Sequence, residues 1–319
     1  MKNILNKFFL VLVLNISSAF AQNNFTFEKF ITGNNYSETR ELKINILNNG
    51  IFQYFFTKTL IPYQSIPEIN VLDNYKCCLI FSQEGLVEFY ENNQLQKQHY
   101  VYKSHQQNEQ SIISVSNTKK VALLISENFN NRIFLLDLNG EIEDSIYVED
   151  GIFSGLSISE NSEIIAASFY NWENENIINQ TKIINIIEGT TFYISDKFSM
   201  GKFNEDENLF LGFTNKNSFC VNLNEQKLLW KEILGNDEIY LDGILSNRNS
   251  VLIKSNYADF ENGNWIYKSA EIFSKTESGE KIIINKLSSP FKKVSLDKIN
   301  YKLNLNLDNE FIEIDKQIN

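Results

Sequence analysis

The stretch at residues 120–148 decides the fold, and it reads KVALLISENFNNRIFLLDLNGEIEDSIYV. Two apolar runs, VALLIS and RIFLLDL, are separated by a short polar loop, and a third run follows the pair Asn139-Gly140. Asn-Gly between apolar runs is a strong hairpin signal, because both central positions of the turn then take a positive φ that these residues tolerate. Together with the preceding run SIISVS at 111–116, these segments predict four successive antiparallel β-strands.

The same frame recurs along the chain. The second run of each unit begins near Lys76, Lys120, Glu163, Asn208 and Ser250, at intervals of 44, 43, 45 and 42 residues. A polar turn precedes each run, as in SISENSE at 157–163 and KFNEDEN at 202–208. The runs are short and rich in Ile, Val, Phe and Tyr, and they show no sustained 3.6-residue stripe, which excludes helical repeats of similar length.

Four strands in a unit of about 40–50 residues is the period of a β-propeller blade. The segments RIFLLDLNG (132–140) and NLNEQKLLW (222–230) are similar to the outer halves of such blades. The chain therefore resembles the broad WD40-like and quinoprotein-like propeller superfamily over about 66–286, although the Gly-His and Trp-Asp signatures of true WD40 blades are missing. The resemblance implies an all-β propeller of four-stranded blades. It carries no specific function.

The ends of the chain fit incomplete blades. Three strand-like runs lie at 22–65 and three more at 287–319, so the total strand count favours seven blades, with six as the alternative. We expect residues 22–319 to form one propeller domain.

The first 21 residues predict export. Lys2 and Lys7 give a basic start, an apolar run covers 8–14, and AFA at 19–21 ends the segment. This order is typical of a secretory signal peptide cleaved before Gln22, and the run is too short to span a membrane. We therefore expect a mature protein without a transmembrane anchor, in the periplasm, outside the cell or at the cell surface.

The net charge of the chain limits the classes of partner that it can bind. The net charge of −11 disfavours nucleic acid, whose phosphates require basic patches.

The three cysteines, Cys77, Cys78 and Cys220, leave one thiol over in any pairing. Adjacent side chains in a strand also point to opposite faces, which disfavours pairing of Cys77 with Cys78. We predict buried free thiols and a monomer, with one bridge from Cys220 to Cys77 or Cys78 as the alternative.

Two long connections between second and third strands are the candidate binding site. One spans about 170–180 and the other about 256–264, running into Trp265. Equivalent loops of a propeller emerge on one face, and exposed aromatic side chains among amides and carboxylates stack on sugars or anchor protein partners. The alternative is that the tryptophans fold back over their own loops. The candidate residues are Tyr170, Trp172, Glu173, Tyr257, Phe260 and Trp265.

Catalytic and metal signals are weak. His99 and His105 are the only histidines, and no adjacent carboxylate completes a metal or acid–base constellation with them. Asp259, Glu261 and Asn264 form a candidate calcium loop, but it offers fewer than the six to eight oxygen ligands that calcium takes. We expect no cofactor, with calcium as the one alternative.

These observations predict a non-catalytic module that binds an envelope or surface protein, or a glycan. The alternative is a glycan-active or cofactor-dependent propeller enzyme with carboxylates at the central channel. The runs expected to line that channel are mostly small or apolar, with Asp242 as the main exception, and this favours binding.

Overall fold

The structure is a computed structural model. It describes residues 25–33, 36–48, 51–73, 76–81, 86–100, 110–115, 120–127, 130–148, 151–173, 176–246, 249–256, 258–261, 264–299, 302–308 and 310–317. The predicted signal peptide and His105 lie outside these ranges. Within them, no helix is long and apolar enough to cross a bilayer. The chain forms two compact units, and each is described by itself.

The first unit comprises residues 1–107 and the turn Asp137–Glu141. Its three-stranded sheet contains, in order, β1 (Phe25–Thr32), β2 (Arg40–Asn48) and β3 (Ile51–Leu60). Its four-stranded sheet contains β4 (Glu68–Asp73), β5 (Lys76–Phe81), β6 (Leu86–Glu91) and β7 (Gln94–Tyr100). All neighbouring strands are antiparallel.

The second unit comprises Asn108–Leu136 and Ile142–Asn319. Its first sheet contains β8 (Gln110–Val115), β9 (Val121–Glu127), β10 (Asn130–Leu136) and β11 (Ile142–Val148). The second contains β12 (Ile152–Ile158), β13 (Ile164–Glu173), β14 (Asn176–Asn185) and β15 (Thr190–Ile194). The third contains β16 (Met200–Phe203), β17 (Leu209–Phe213), β18 (Asn217–Asn222) and β19 (Lys227–Ile233).

Two further sheets complete the second unit. In the first of them, β20 (Glu238–Leu245) and β21 (Asn249–Asn256) are followed by a separate hairpin of β22 (Asp259–Glu261) and β23 (Asn264–Ile266). The chain then returns to that sheet as β24 (Ala270–Thr276) and β25 (Lys281–Leu287). The last sheet has three strands, β26 (Val294–Ile299), β27 (Lys302–Leu307) and β28 (Glu310–Gln317).

The predicted repeat is confirmed. The second strands β5, β9, β13, β17 and β21 begin within one residue of the predicted positions. They are continuous apolar runs because both of their faces are buried, as in β17, where every residue is buried. The fourth strands are mostly exposed, as in β7 and β25. The first strands of the second unit lie side by side in series, from β8 through β12, β16 and β20 to β26.

The Asn139-Gly140 turn differs from the prediction. Only Gly140 has a positive φ, of 86°, so the expected two-residue turn with both positions at positive φ is wrong. The Gly140 N–H donates to the Asp137 carbonyl, and an Asp137 carboxylate oxygen accepts from the N–H groups of Asn139 and Glu141. The aspartate side chain therefore stabilises a longer turn, in which only the glycine position needs the left-handed conformation.

Candidate functional site

The hairpin β22–β23 exposes two aromatic rings. Phe260 and Trp265 are direct cross-strand partners, and their side chains are 62% and 57% exposed. The ring centroids lie 5.0 Å apart and the planes are inclined at 60°. Such a cross-strand aromatic pair stabilises a short hairpin while leaving most of both rings accessible. Large aromatic surface that water still contacts is typical of a binding surface.

The base of the same hairpin is fixed to the hydrophobic core of the second unit. Tyr267 stacks on Phe291 with centroids 5.4 Å apart and planes at 21°, and Phe291 is buried. The two residues also exchange both backbone hydrogen bonds, at 2.8 and 2.9 Å. An isolated two-stranded hairpin is marginal in water, so this anchor supplies the packing that the three-residue strands lack. The exposed pair is therefore carried on a supported element.

The calcium residues fall on this hairpin. The Asp259 carboxylate forms an ion pair with the Lys268 ammonium, while Glu261 and Asn264 are cross-strand partners next to the turn. The side chains of Glu261 and Asn264 lie outside the described part of the chain. Among the residues that the structure describes, no group of three or more His, Cys, Asp or Glu side chains is arranged to hold a metal ion.

The second candidate stretch is a strand pair, and the prediction of a long loop at 170–180 is wrong. β13 and β14 are ten residues each, and their pairing continues to Trp172 opposite Ile177 and Glu173 opposite Asn176. The flanking strands stop earlier, because β12 pairs only as far as Tyr170 and β15 only as far as Thr181. The stretch is therefore a hairpin that extends beyond its own sheet.

The side chains on this extension are partly defined. Ile177 is exposed, and the Lys197 ammonium lies 4.9 Å from the centre of the Tyr170 ring. A cation over a tyrosine face is a favourable contact, so Tyr170 takes part in a local interaction as well as facing solvent. The side chains of Trp172 and Glu173, and the whole of Tyr257, lie outside the described part of the chain.

Both hairpins occupy the same topological place. The β13–β14 extension continues the second and third strands of its sheet, and the β22–β23 hairpin lies in the connection between the second and third strands of another. Both therefore lie at the same end of those strands. The sequence located both insertions but missed two residues that bear on them. Ile177 is the register partner of Trp172, and Lys197 comes from the connection after β15. Ile177 could be assigned to the site only from the strand register, and Lys197 only from the tertiary fold.

Two buried polar networks could suggest chemistry, and their geometry favours a structural role. In the first unit, the Lys58 ammonium lies 2.7 Å from a Glu88 carboxylate oxygen, and the Tyr90 hydroxyl donates to Glu88 at 2.9 Å. Burial, followed by the charge and hydrogen bond of Glu88, raises the pKa of the Tyr90 hydroxyl. The hydroxyl therefore stays protonated, and it serves as a donor and not as a base.

The second network lies in the second unit. The Tyr240 hydroxyl donates to Glu232 at 3.0 Å and accepts from Ser218 at 2.8 Å, while the Lys275 ammonium lies 3.0 Å from Glu232. Burial is the largest cause that raises the pKa of Tyr240. Lys275 also lies over the Trp230 ring, 4.5 Å from its centre. These contacts satisfy the groups inside the fold.

Asp242, the carboxylate singled out for a channel, is also used by the fold. One of its oxygens accepts from the Gly243 N–H at 2.8 Å, and the other accepts from the Leu296 N–H at 2.7 Å. The side chain therefore joins the first strands β20 and β26 of two successive sheets. A carboxylate that accepts two backbone hydrogen bonds in this way stabilises the packing of the two strands.

Comparison with known proteins identifies solved structures of similar fold. The sequence matches no known protein family and no curated protein. A chain in a crystal structure of the mitotic checkpoint complex is similar in structure, with a TM-score of 0.56 and 10% identity over 93% of this chain and 89% of that chain. Hsv2 from Kluyveromyces lactis gives 0.55 and 9% over 88% and 89%.

A dehydrogenase structure is similar over a smaller part of its own length. The dihydro-haem d1 dehydrogenase NirN, solved in complex with DHE, gives a TM-score of 0.53 and 12% identity over 86% of this chain and 59% of that chain. Likeness at these identities shows the fold alone. The repeated antiparallel sheets and these similarities together show an all-β propeller fold, and the residues that the structure describes form seven successive blade sheets.

Proposed function

We propose that this propeller is a non-catalytic interaction module that binds a protein or a glycan through the hairpins β13–β14 and β22–β23. The observation that carries the proposal is the exposed pair of Phe260 and Trp265 on a hairpin whose base is fixed by Tyr267 and Phe291. Tryptophan is enriched among the residues that dominate binding energy, and a supported element limits the entropy lost on binding.

The β13–β14 hairpin is a second exposed apolar element that supports the proposal. It continues past its own sheet, exposes Ile177 and carries Trp172 at the opposite register position. Contacts inside the fold engage the Tyr90 and Tyr240 hydroxyls, whose pKa values burial raises. They also engage the carboxylates of Glu88, Glu232 and Asp242. This favours binding over acid–base catalysis by those groups.

The place of action follows from the N-terminal sequence pattern. The basic start, short apolar run and small residues before Gln22 support export to the periplasm or the cell surface. The partner would then be an envelope or surface protein, or a glycan, bound by a monomer without a membrane anchor. Mass spectrometry of the mature chain, with an N-terminus at Gln22, checks this part.

The binding test compares the protein with a Phe260→Ser/Trp265→Ser variant in a pull-down from envelope extract, followed by a printed glycan array. We expect a partner or glycan retained by the wild type and lost by the variant. An Ile282→Ser/Ile283→Ser variant is the matched control, because these two side chains are also exposed but lie on β25, outside the hairpin.

Equal melting temperatures of the three proteins show that any loss reflects the surface and not the fold. Retention of every partner by the Phe260→Ser/Trp265→Ser variant removes this hairpin from the proposal. A Trp172→Ala variant then tests the β13–β14 hairpin separately.

A further inference from the structure

The first unit contains a second exposed apolar surface, which the hairpins of the second unit do not explain. It is formed by the connection between β3 and β4 and by the turn before β2. Its large side chains, all well exposed, are Tyr36, Ile61, Tyr63 and Ile66. We call these four residues the tyrosine patch.

Tyr63 has a backbone conformation that tyrosine disfavours. Its φ is 65°, and it directly follows Pro62 in a turn closed by a hydrogen bond from the Gln64 N–H to the Ile61 carbonyl at 3.1 Å. Proline at the second position and a positive φ at the third are typical of a turn that prefers Gly or Asn at the third. Among the described residues, the other non-glycine residues with positive φ are all polar: Asn92, Asn93, Ser162, Glu207, Gln226 and Asp308.

Neighbouring residues hold this strained turn in place. The Tyr63 N–H donates to the Tyr36 carbonyl at 2.9 Å, and the Tyr36 hydroxyl donates back to the Tyr63 carbonyl. The Arg40 guanidinium donates to the Gln64 carbonyl and lies under the Tyr36 ring, 4.9 Å from its centre. Strain that is maintained by several independent contacts is typical of functional positions.

These contacts hold the turn in a conformation that exposes the Tyr63 side chain. The Tyr63 side chain is 66% exposed, so the unfavourable backbone conformation presents an aromatic ring to water and buries little of it. A glycine or asparagine would close the same turn without that strain. The stability of the fold therefore does not account for a tyrosine at this position, whereas contact with a partner does.

The shape of the tyrosine patch favours a protein over a glycan. The Tyr36 and Tyr63 rings meet edge to face, at 79° and 5.7 Å, so they do not form a flat platform for a sugar ring. Two isoleucines add aliphatic surface without hydrogen-bonding groups. Tyrosine with a supporting arginine and aliphatic neighbours is typical of the centre of a protein–protein interface.

Charge indicates the chemistry of that partner. The chain has a net charge of −11, and the exposed residues Glu38 and Glu41 lie beside Tyr36 and Arg40 in the sequence. A partner with basic residues around an apolar anchor would associate faster and would avoid like-charge repulsion. We propose that the tyrosine patch is a docking surface for a protein segment that presents an apolar side chain flanked by lysine or arginine.

The test uses immobilised 12-residue peptides with a central Leu, Phe or Trp, flanked by Lys in one set and by Glu in a matched set. We expect the wild-type protein to bind the Lys-flanked set, and to bind it at least tenfold more weakly at 500 mM salt than at 50 mM. A Tyr63→Asn variant should lose at least tenfold in affinity. Tyr100→Asn, which removes an equally exposed tyrosine from β7 of the same unit, should bind as the wild type does.

Stability separates docking from a structural role. We expect Tyr63→Asn to melt at the same temperature as the wild type or higher, because asparagine tolerates the left-handed conformation; a lower melting temperature overturns the inference. Ile66→Ser, which leaves the turn unchanged, should weaken peptide binding as well. Equal binding of both peptide sets, no binding of the Lys-flanked set, or binding only to printed glycans also overturns it.

Discussion

Glycine 140 shows how one residue controls a turn of the propeller. Its φ of 86° suits glycine, and a β-carbon built there would lie 2.5 Å from the Phe89 ring. Phe89 is fully buried and cannot move aside without disturbing the core. The turn therefore needs glycine for two separate reasons, backbone conformation and close approach.

A Gly140→Ala substitution should cost about 2–4 kcal/mol of unfolding free energy, the sum of a left-handed alanine and an overpacked contact. Urea denaturation measures the loss. Gly189→Ala is the matched control, because Gly189 also has a positive φ, 66°, but nothing lies within 4 Å of its added β-carbon. That variant should lose only about 1–2 kcal/mol. Equal losses in the two variants would contradict the close contact with Phe89.

The polar residues before the second strands have an equally local explanation. The Asn204 side-chain oxygen accepts from the N–H groups of Asn208 and Leu209, and the Ser159 hydroxyl accepts from those of Glu163 and Ile164. Short polar side chains satisfy the backbone donors that the turn leaves open. This recurring requirement explains why the turn sequences of different blades look alike.

At the scale of the strand, the sequence predicts the position of a strand well where that strand is buried. The second strands begin where the sequence predicts because they are buried on both faces, and burial imposes a continuous apolar run. The extension of β13 and β14 beyond Tyr170 has no flanking strand, so no such pattern is imposed, and its polar residues resemble a loop. Trp172, Phe260 and Trp265 were found by composition, whereas Ile177, the register partner of Trp172, required the strand pairing.

The tyrosine patch was missed for a related reason. Exposure of Tyr36 and Tyr63 depends on how the connection between β3 and β4 is held by Arg40, and no local pattern encodes that contact. The pair Pro62-Tyr63 does signal a turn, since proline favours the second turn position. It does not reveal that the tyrosine takes a positive φ.

A ladder of charges crosses all four strands of the sheet β20-β21-β24-β25. Lys254 on β21 pairs with Glu238 on β20 and with Glu271 on β24, and Glu271 also pairs with Lys281 on β25 at 2.6 Å. Burial raises the pKa of Glu271, but the hydrogen bond and charge of Lys281, together with Lys254 and Lys286, lower it below its ordinary 4.5. The hydrogen bond from Lys254 likewise lowers the pKa of Glu238.

A lowered folded-state pKa means that stability is present above the unfolded pKa and is lost as the pH falls through the folded value. We therefore expect Glu271→Gln to be less stable than the wild type at pH 7, by on the order of 1 kcal/mol. The difference should shrink below pH 4.5 as the wild-type carboxylate is protonated. Thermal melts from pH 7 to pH 3 measure this. Glu225→Gln, in the exposed turn between β18 and β19, should show no such trend; a constant difference for Glu271→Gln would refute the ladder.

At the scale of the whole molecule, the three cysteines report on both units. Cys77 and Cys78 lie on β5 of the first unit and Cys220 on β18 of the second, and all three are buried and free. Burial raises the pKa of Cys77 to about 12. It is also the largest cause that raises the pKa of Cys220 to about 12, with a smaller opposite effect from the Val221 backbone. Thiol reagents attack the thiolate, so both groups should be inert while folded.

We expect no reaction of the native protein with an aromatic disulfide reagent at pH 8, and three thiols released in guanidinium chloride. Ile187→Cys is the positive control, because Ile187 is well exposed and should add one thiol that reacts at once in the native state. Release of a single thiol on unfolding would contradict three free thiols and show that two of the cysteines are bridged. Labelling at intermediate denaturant, with the modified peptides identified by mass spectrometry, then reads the two units separately. Cys77 and Cys78 becoming reactive before Cys220 would show that the first unit opens at a lower free energy, since local opening exposes each thiol in proportion to the population of its open form.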